Sequence, residues 1–359
     1  MRERLVCMIS ACLVAVFAFS GVAASADAEL NRKLQDAFAA GELEGLHGVL
    51  IIHEGEVIAE TYFEGPDQRW GAPLPNVKHS EISLHDLRSV TKSVVGLLYG
   101  IALGEGIVPP VDAPLIAQFP QYGDLAGEPL RDRITVGHAL SMKMGTEWNE
   151  DLPYTDRRNS EIAMEYAADR YRFILDRPMV AEPGQEWRYS GGATAIVAKL
   201  ISDGAGMPID VYAREKLFGP LEIKSYEWIK GSDGVPSAAS GLRLTLPDLG
   251  KIGRLILDGG VYNGQQVVPE AWLRESFRPR AELHQLRYGY FWWLASRGDP
   301  PSWVAGFGNG GQRLTVQPEF DLVVAIFAGN YNDPDAWRLP VKVIEEFMVP
   351  AVRARIGNN

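Results

Sequence analysis

The stretch from Ser89 to Leu103, SVTKSVVGLLYGIAL, is a helical run with apolar residues on nearly every side. Val90, Val94, Val95, Leu97, Leu98, Ile101 and Leu103 do not share one stripe, so no broad face is left for water. Such a helix is stable only between covering layers, and the rest of the chain must supply them. The two ends of the sequence offer strands. HGVLIIHEGEVIAETYF reads as a hairpin, with His47 to His53 as one strand, Glu54-Gly55-Glu56 as the turn and Val57 to Phe63 as the other. Near the other end, Tyr288 to Ala295, Gly311 to Pro318 and Leu322 to Gly329 read as strands, with Pro318 to Asp321 as a turn. Helices are expected from Asp27 to Ala40 and from about Trp337 to Val352, and a loop from Phe63 to about Ser83. The expected fold is α+β, an α/β sandwich: one antiparallel sheet built from both chain ends, flanked by helices, with a mainly helical lobe inserted over about residues 105–235. The full chain is 46% hydrophobic, and its 27–359 segment is long enough to bury one large core and is expected to be a single domain.

The first residues have the layout of a secretory leader. Arg2 and Arg4 precede an apolar run from Leu5 to about Val22, followed by the small-x-small site Ala24-Ser25-Ala26. Residues 1–26 are therefore expected to be a signal peptide, and the protein periplasmic or secreted. Ser10, Ser20 and Gly21 weaken the rival, an uncleaved membrane anchor, and the apolar run beyond Cys12 argues against lipidation. Both cysteines, Cys7 and Cys12, fall in this leader, so the remainder has no disulfide, thiolate nucleophile or cysteine metal site. The net charge of −11 argues against nucleic acid and anionic membrane as partners.

Ser89 and Lys92 stand one helical turn apart on one face. Serine attacks a carbonyl only when something accepts its proton, and a lysine whose pKa is lowered by burial can do so. The helix N-terminus favours a developing anion there. Ser89 is also a good N-cap, and S-x-x-K is a common chance spacing. What argues against chance is Lys92 itself, a charge placed in a helix apolar all round. A second candidate is PGQEWRYSGG, where Tyr189 precedes a helix and could pass a proton to a leaving group. A third is GFGNGGQRL, a glycine-rich turn into a strand, where the amides of Gln312 and Ser89 could hold an oxyanion.

Together these stretches resemble the serine β-lactamase and penicillin-binding-protein superfamily, whose three motifs are S-x-x-K, Y-x-N or S-x-N, and K-T-G. Here they read Ser89-Val90-Thr91-Lys92, Tyr189-Ser190-Gly191 and Asn309-Gly310-Gly311. The tyrosine, with ITVGHALSMKMGTEW, EPGQEWRYSGG and SGLRLTLPDLGKIGRLILDGGVYNGQQVVPEAW, looks like the branch of class C enzymes, esterases and 6-aminohexanoate-dimer hydrolases. The resemblance spans about residues 45 to 350. It implies Ser89 as acylated nucleophile, Lys92 as base, Tyr189 as proton relay, and the amides of Ser89 and Gln312 as oxyanion hole. Two departures matter: Gly191 replaces the asparagine of the second motif, and Asn309-Gly310 replaces the Lys-Thr that grips a β-lactam carboxylate. The implied activity is hydrolysis of a small ester or amide, with efficient β-lactamase action not expected. A non-catalytic ligand-binding or sensor domain and a penicillin-interactive enzyme are the alternatives.

No G-x-S-x-G supports an α/β-hydrolase elbow. The six histidines (His47, His53, His79, His85, His138, His284) show no short ligand spacing, so neither metal nor other cofactor is expected, and His85 is read as part of the entry loop. Glu147, Glu150 and Asp151 are read as solvated loop carboxylates. Trp148, Trp187, Trp292, Trp293, Tyr290 and Phe307 are read mainly as core, with one or two walling an acyl pocket. The expected partner is a small-molecule ester or amide.

Overall fold

The two chain ends meet in one sheet, as the strand pattern requires. The computed structural model describes residues 16–357, with side chains from residue 28 onward. The leader read over residues 1–26 has its first part outside the described residues; helix α1 (Val16–Ala39) begins at Val16. Among the described residues, no helix is long and apolar enough to cross a membrane.

After α1 come strands β1 (Leu46–His53), β2 (Glu56–Tyr62), β3 (Glu64–Arg69), β4 (Ala72–Lys78) and the two-residue β5 (His85–Asp86), then helix α2 (Val90–Gly104). The segment expected to be a loop after Phe63 thus holds a hairpin, β3–β4, which the polar sequence GPDQRWGAPLPN conceals. Helices α3 (Val136–Leu140), α4 (Ser160–Glu165), α5 (Arg170–Leu175), α6 (Gly191–Ala205) and α7 (Ile209–Ala213) make up the helical lobe. Then follow β6 (Glu227–Trp228), β7 (Leu242–Leu244), α8 (Leu246–Leu257), the short hairpin β8 (Val261–Tyr262) and β9 (Gln265–Gln266), and α9 (Glu270–Ser276). The last third supplies β10 (Ala281–Leu283), β11 (Leu286–Tyr288), β12 (Trp293–Ala295), β13 (Val304–Gly308), β14 (Gln312–Gln317) and β15 (Leu322–Ala328), closed by α10 (Arg338–Lys342) and α11 (Val349–Gly357).

The main sheet is antiparallel, in the order β10-β11-β12-β13-β14-β15-β1-β2. Its centre, β1 beside β15, is buried at every position. That explains why LIIH and LVVAIFA are continuous apolar runs: both faces are covered. Leu46, Val49 and Ile51 turn to α1, Val343, Met348 and α11, while Leu50 and Ile52 join α2 and α8 on the other face. Each such aliphatic side chain contributes roughly 1.5–3 kcal/mol on burial.

Helix α2 is buried from Val90 to Ala102, as its all-round apolarity demands. Trp272 of α9 lies directly on its backbone: a Cβ at Gly100 would come within 1.9 Å of the indole, whose Nε1 donates to the Gly96 carbonyl at 2.9 Å. The expected strand Tyr288–Ala295 is instead the last residue of β11 and the whole of β12, with Tyr288 pairing Trp293 across a tight turn. Phe291 takes a left-handed φ of 59° there, which an apolar run gives no sign of.

Candidate active site

Ser89 sits just ahead of α2 with helical torsions, and its side chain makes no capping hydrogen bond. The hydroxyl is therefore not used by the helix. Arg88 before it is held at a left-handed φ of 48°, anchored by Asp86 Oδ2 at 3.1 Å and Gln68 Oε1 at 3.0 Å. A non-glycine residue in that conformation carries strain that its neighbours must over-determine. Strand β13 closes on the same turn because it is glycine-rich: a Cβ at Gly308 would lie 2.4 Å from the Leu87 carbonyl oxygen.

Lys92, 1% exposed, donates to three acceptors: Ser89 Oγ at 3.0 Å, Glu161 Oε2 at 3.2 Å and the Ala239 carbonyl at 2.9 Å. Burial pushes its pKa down, but the charge of Glu161, with Tyr189 and Glu150, outweighs that and holds the ammonium above its ordinary value. The expected activation, burial or nearby positive potential freeing the amine, does not operate here, because the cavity is lined by carboxylates.

Glu161 is the functional residue the sequence reading missed. It opens α4, where the Asn159 side chain caps its amide at 3.0 Å, and Ser240 Oγ donates to its Oε1 at 2.8 Å. A Cβ on Gly191 would lie 2.4 Å from Glu161 Oε2. The carboxylate thus stands in the space an asparagine side chain at 191 would occupy. The glycine at that position was the one signal in the sequence that another group comes in.

Tyr189 hydrogen-bonds to Ser89, its ring centre 4.9 Å from Lys92 Nζ, and burial raises its pKa against the opposing pull of Lys92. Glu150 is not a solvated loop carboxylate. It accepts from Trp148 Nε1 at 2.6 Å and the Tyr154 hydroxyl at 3.0 Å, and burial plus the charge of Glu161 push it up to about 7. Glu147 does face outward, paired with Arg177 at 2.8 Å, and Asp151 lines the cleft.

The third motif forms the turn between β13 and β14. Gly310 and Gly311 have φ of 93° and 98°, and a Cβ at Gly310 would meet the Tyr331 ring at 2.7 Å, so a threonine cannot stand there. Asn309 is locked to Asn332 by two hydrogen bonds, 3.0 and 2.7 Å. The Gln312 side chain turns inward to the Ala328 backbone, leaving only its amide to serve the cleft. Arg313, next in sequence, supplies a cation absent from Asn309-Gly310. It is buried over the Phe307 ring, 3.8 Å from its centre, its Nε has no hydrogen-bond partner among the described residues, and burial lowers it to about 10.

These groups share one cleft of about 530 Å³, lined by Ser89, Glu150, Tyr154, Tyr189, Trp293, Phe307, Asn309 to Arg313 and Trp337. A second, of about 480 Å³, reaches Ser89 from the side of Trp70, Arg157 and Glu161. A third, of about 810 Å³, lies past Tyr189 and does not include Ser89. Trp293 and Phe307 stack face to face along the cleft wall, continued by Tyr189; Trp148, Trp292 and Tyr290 are core. His85 is not loop but the start of β5, buried beside His47, His79 and Asp67.

A family model described as Beta-lactamase matches residues 30–339. The 6-aminohexanoate-dimer hydrolase of Paenarthrobacter ureafaciens is 26% identical over 309 residues, 80% of this chain and 73% of that protein. Two solved structures share the fold. The octameric penicillin-binding protein homologue from Pyrococcus abyssi superposes with a TM-score of 0.66 at 18% identity, over 90% of this chain and 77% of the other. EstCE1, a hydrolase with promiscuous acyltransferase activity, gives 0.69 at 14% identity, over 92% and 98%.

Proposed function

The chain belongs to the beta-lactamase family and is a serine hydrolase, and from that premise we propose that it cleaves a small ester or amide through an acyl-enzyme on Ser89. The observation that carries the reading is a serine hydroxyl unused by its helix and 3.0 Å from a lysine whose other two partners can only accept. The Ala239 carbonyl and the Glu161 carboxylate fix two N–H directions of Nζ, so the third direction points at Ser89 Oγ. When one proton moves from Lys92 to Glu161, rotation about Cε–Nζ turns the freed lone pair to Ser89 and leaves the two remaining N–H groups to the Ala239 carbonyl and Glu161. Ser89 then gives its proton to Nζ as Oγ attacks the substrate carbonyl. The amides of Ser89 and Gln312 receive the oxyanion. Tyr189 passes a proton to the departing alkoxide or amine and takes from Lys92 the one that Ser89 gave up; water then repeats the sequence to release the acid and return a proton to Ser89.

The relative from Paenarthrobacter ureafaciens is named for a dimer of 6-aminohexanoate, an amino acid that carries its carboxylate on a flexible chain. A substrate of that kind suits this cleft, with the aromatic wall of Trp293 and Phe307 against the chain and Arg313 on a distal carboxylate. The leader expected over residues 1–26 supports a reaction in the periplasm or outside the cell. The test is intact-mass labelling with a fluorophosphonate, then a panel of p-nitrophenyl esters and 6-aminohexanoate oligomers. A single adduct on Ser89, absent from Ser89→Ala along with turnover, is expected; full turnover by Ser89→Ala overturns the reading.

A further inference from the structure

Three histidines and an aspartate that take no part in this mechanism converge beneath the turn that carries Ser89. His47 is on β1, Asp67 on β3, His79 just past β4, and His85 opens β5. All four are buried, and one ligand atom from each lies within 4.8 Å of the other three. His47 Nδ1 and His85 Nε2 are 2.9 Å apart, and Asp67 Oδ1 is 3.5 Å from the latter and 4.0 Å from the former. Four ligands around zinc at bonds of about 2.0–2.1 Å stand roughly 3.3 Å from one another, within this spread.

The hydrogen bonds around the cluster orient lone pairs inward. His85 Nδ1 faces the Asp86 carbonyl at 3.1 Å, and a carbonyl only accepts, so Nδ1 carries the proton. A neutral His85 then turns the lone pair of Nε2 into the cluster, where it accepts from His47 Nδ1 at 2.9 Å and faces Asp67 Oδ1, another acceptor, at 3.5 Å. His79 Nε2 is buried with no hydrogen-bond partner among the described residues. The Tyr331 hydroxyl donates to Asp67 Oδ1 at 2.8 Å. A backbone carbonyl fixing a histidine tautomer and a hydroxyl holding a carboxylate are the outer partners that metal ligands use.

We propose that His47, Asp67, His79 and His85 bind one divalent cation of the zinc class as a closed structural site. Three imidazoles and one carboxylate suit zinc rather than calcium or magnesium, which prefer all-oxygen shells. None of the four lines the clefts described above, so the site holds structure rather than substrate. It ties β1, β3, the end of the β3–β4 hairpin and β5 together, four residues before the nucleophile. Spacings of six to twenty residues between successive ligands explain why no short sequence motif announced it.

The test uses the full chain without its leader or a histidine tag, produced in zinc-supplemented medium and measured by inductively coupled plasma mass spectrometry. Stoichiometric zinc that survives gel filtration is expected. His79→Ala should lose most of it, while His284→Ala, in the distant β10–β11 turn, should keep it. Because a ligand variant can fail to fold, the wild-type chain is also refolded from chelator with Co²⁺, where the visible absorption of a tetrahedral cobalt site is expected. Natively purified wild type with only trace metal and no cobalt band on refolding, or His79→Ala retaining full zinc, would overturn the proposal and leave a hydrogen-bonded histidine core.

Discussion

Replacing Glu161 by glutamine tests the proton path, because it removes a charge and little else. The amide oxygen can still accept from Lys92 and the amide nitrogen can still meet Ser240. What is lost is a carboxylate 3.2 Å from a buried ammonium. With an effective dielectric of about 20, that attraction is about 5 kcal/mol, a hold on the lysine proton weaker by roughly a thousandfold to ten-thousandfold once removed. In the wild type the proton that must leave Lys92 has a resident acceptor, so acylation should vary little across neutral pH on account of this pair. In Glu161→Gln the proton must go to solvent. The two effects oppose, since the weaker hold favours the free amine while the lost acceptor sends its proton to solvent, so the expected result is a kcat/KM that climbs with pH by up to about tenfold per unit as Lys92 deprotonates, where the wild type is flat. The assay is stopped-flow acylation with a p-nitrophenyl ester from pH 6 to 10, alongside the midpoint of thermal unfolding. A variant with the wild-type rate and the wild-type pH profile refutes the reasoning, since Glu161 would then be only a structural partner of Lys92.

Arg313→Met should raise KM about ten- to a hundredfold for esters bearing a distal carboxylate and leave neutral esters unchanged, as a lost charge-assisted contact requires. Gly191→Asn should not restore the family pattern but lower activity, since its Cβ would lie 2.4 Å from Glu161 Oε2; pairing it with Glu161→Ala should recover the folded yield lost by the single variant. Gly100→Ala places a methyl 1.9 Å from the Trp272 ring and should destabilise the fold by about 1–3 kcal/mol, read as the midpoint of urea unfolding. Glu150 is pushed up to about 7, so the folded chain binds its proton more tightly than the unfolded one does. The stability this gives is present below the ordinary glutamate range and is lost as pH rises through 7, and Glu150→Gln should flatten that part of a melting-temperature profile.

The parts of the fold legible in sequence were those whose burial is uniform. LIIH and LVVAIFA lie at the sheet centre and α2 between layers, so their apolarity states their position directly. The β3–β4 hairpin and the split of YGYFWW were not legible, because a polar edge hairpin and a tight aromatic turn depend on backbone torsions at Gly71 and Phe291 rather than on hydropathy. In the site, Ser89, Lys92 and Tyr189 follow from local spacing and order. Glu161 and the His47–Asp67–His79–His85 cluster do not, since each is brought in by tertiary packing from a separate segment.

The placement of charge decides what the cleft selects. A β-lactam presents its carboxylate close to the carbonyl that serine attacks. The cation in direct contact with Ser89, Lys92, is already engaged by Glu161, and Glu150 becomes a second carboxylate above pH 7. An anion held about 5 Å from one of these charges would be repelled by roughly 3 kcal/mol at an effective dielectric of 20, before any loss from the missing Lys-Thr pair. A single Asn309→Lys cannot mend this: its neighbour Gly310 must stay glycine beneath the Tyr331 ring, and the Glu161 carboxylate stays in place. Arg313 shifts the available cation along β14 and away from the reacting carbonyl, so the substrates favoured are those whose carboxylate is separated from the scissile bond by a flexible chain. Rates across a homologous series of p-nitrophenyl esters of dicarboxylic acids should therefore rise with chain length to an optimum, and a series in which the shortest member is the best substrate would contradict the assignment of Arg313.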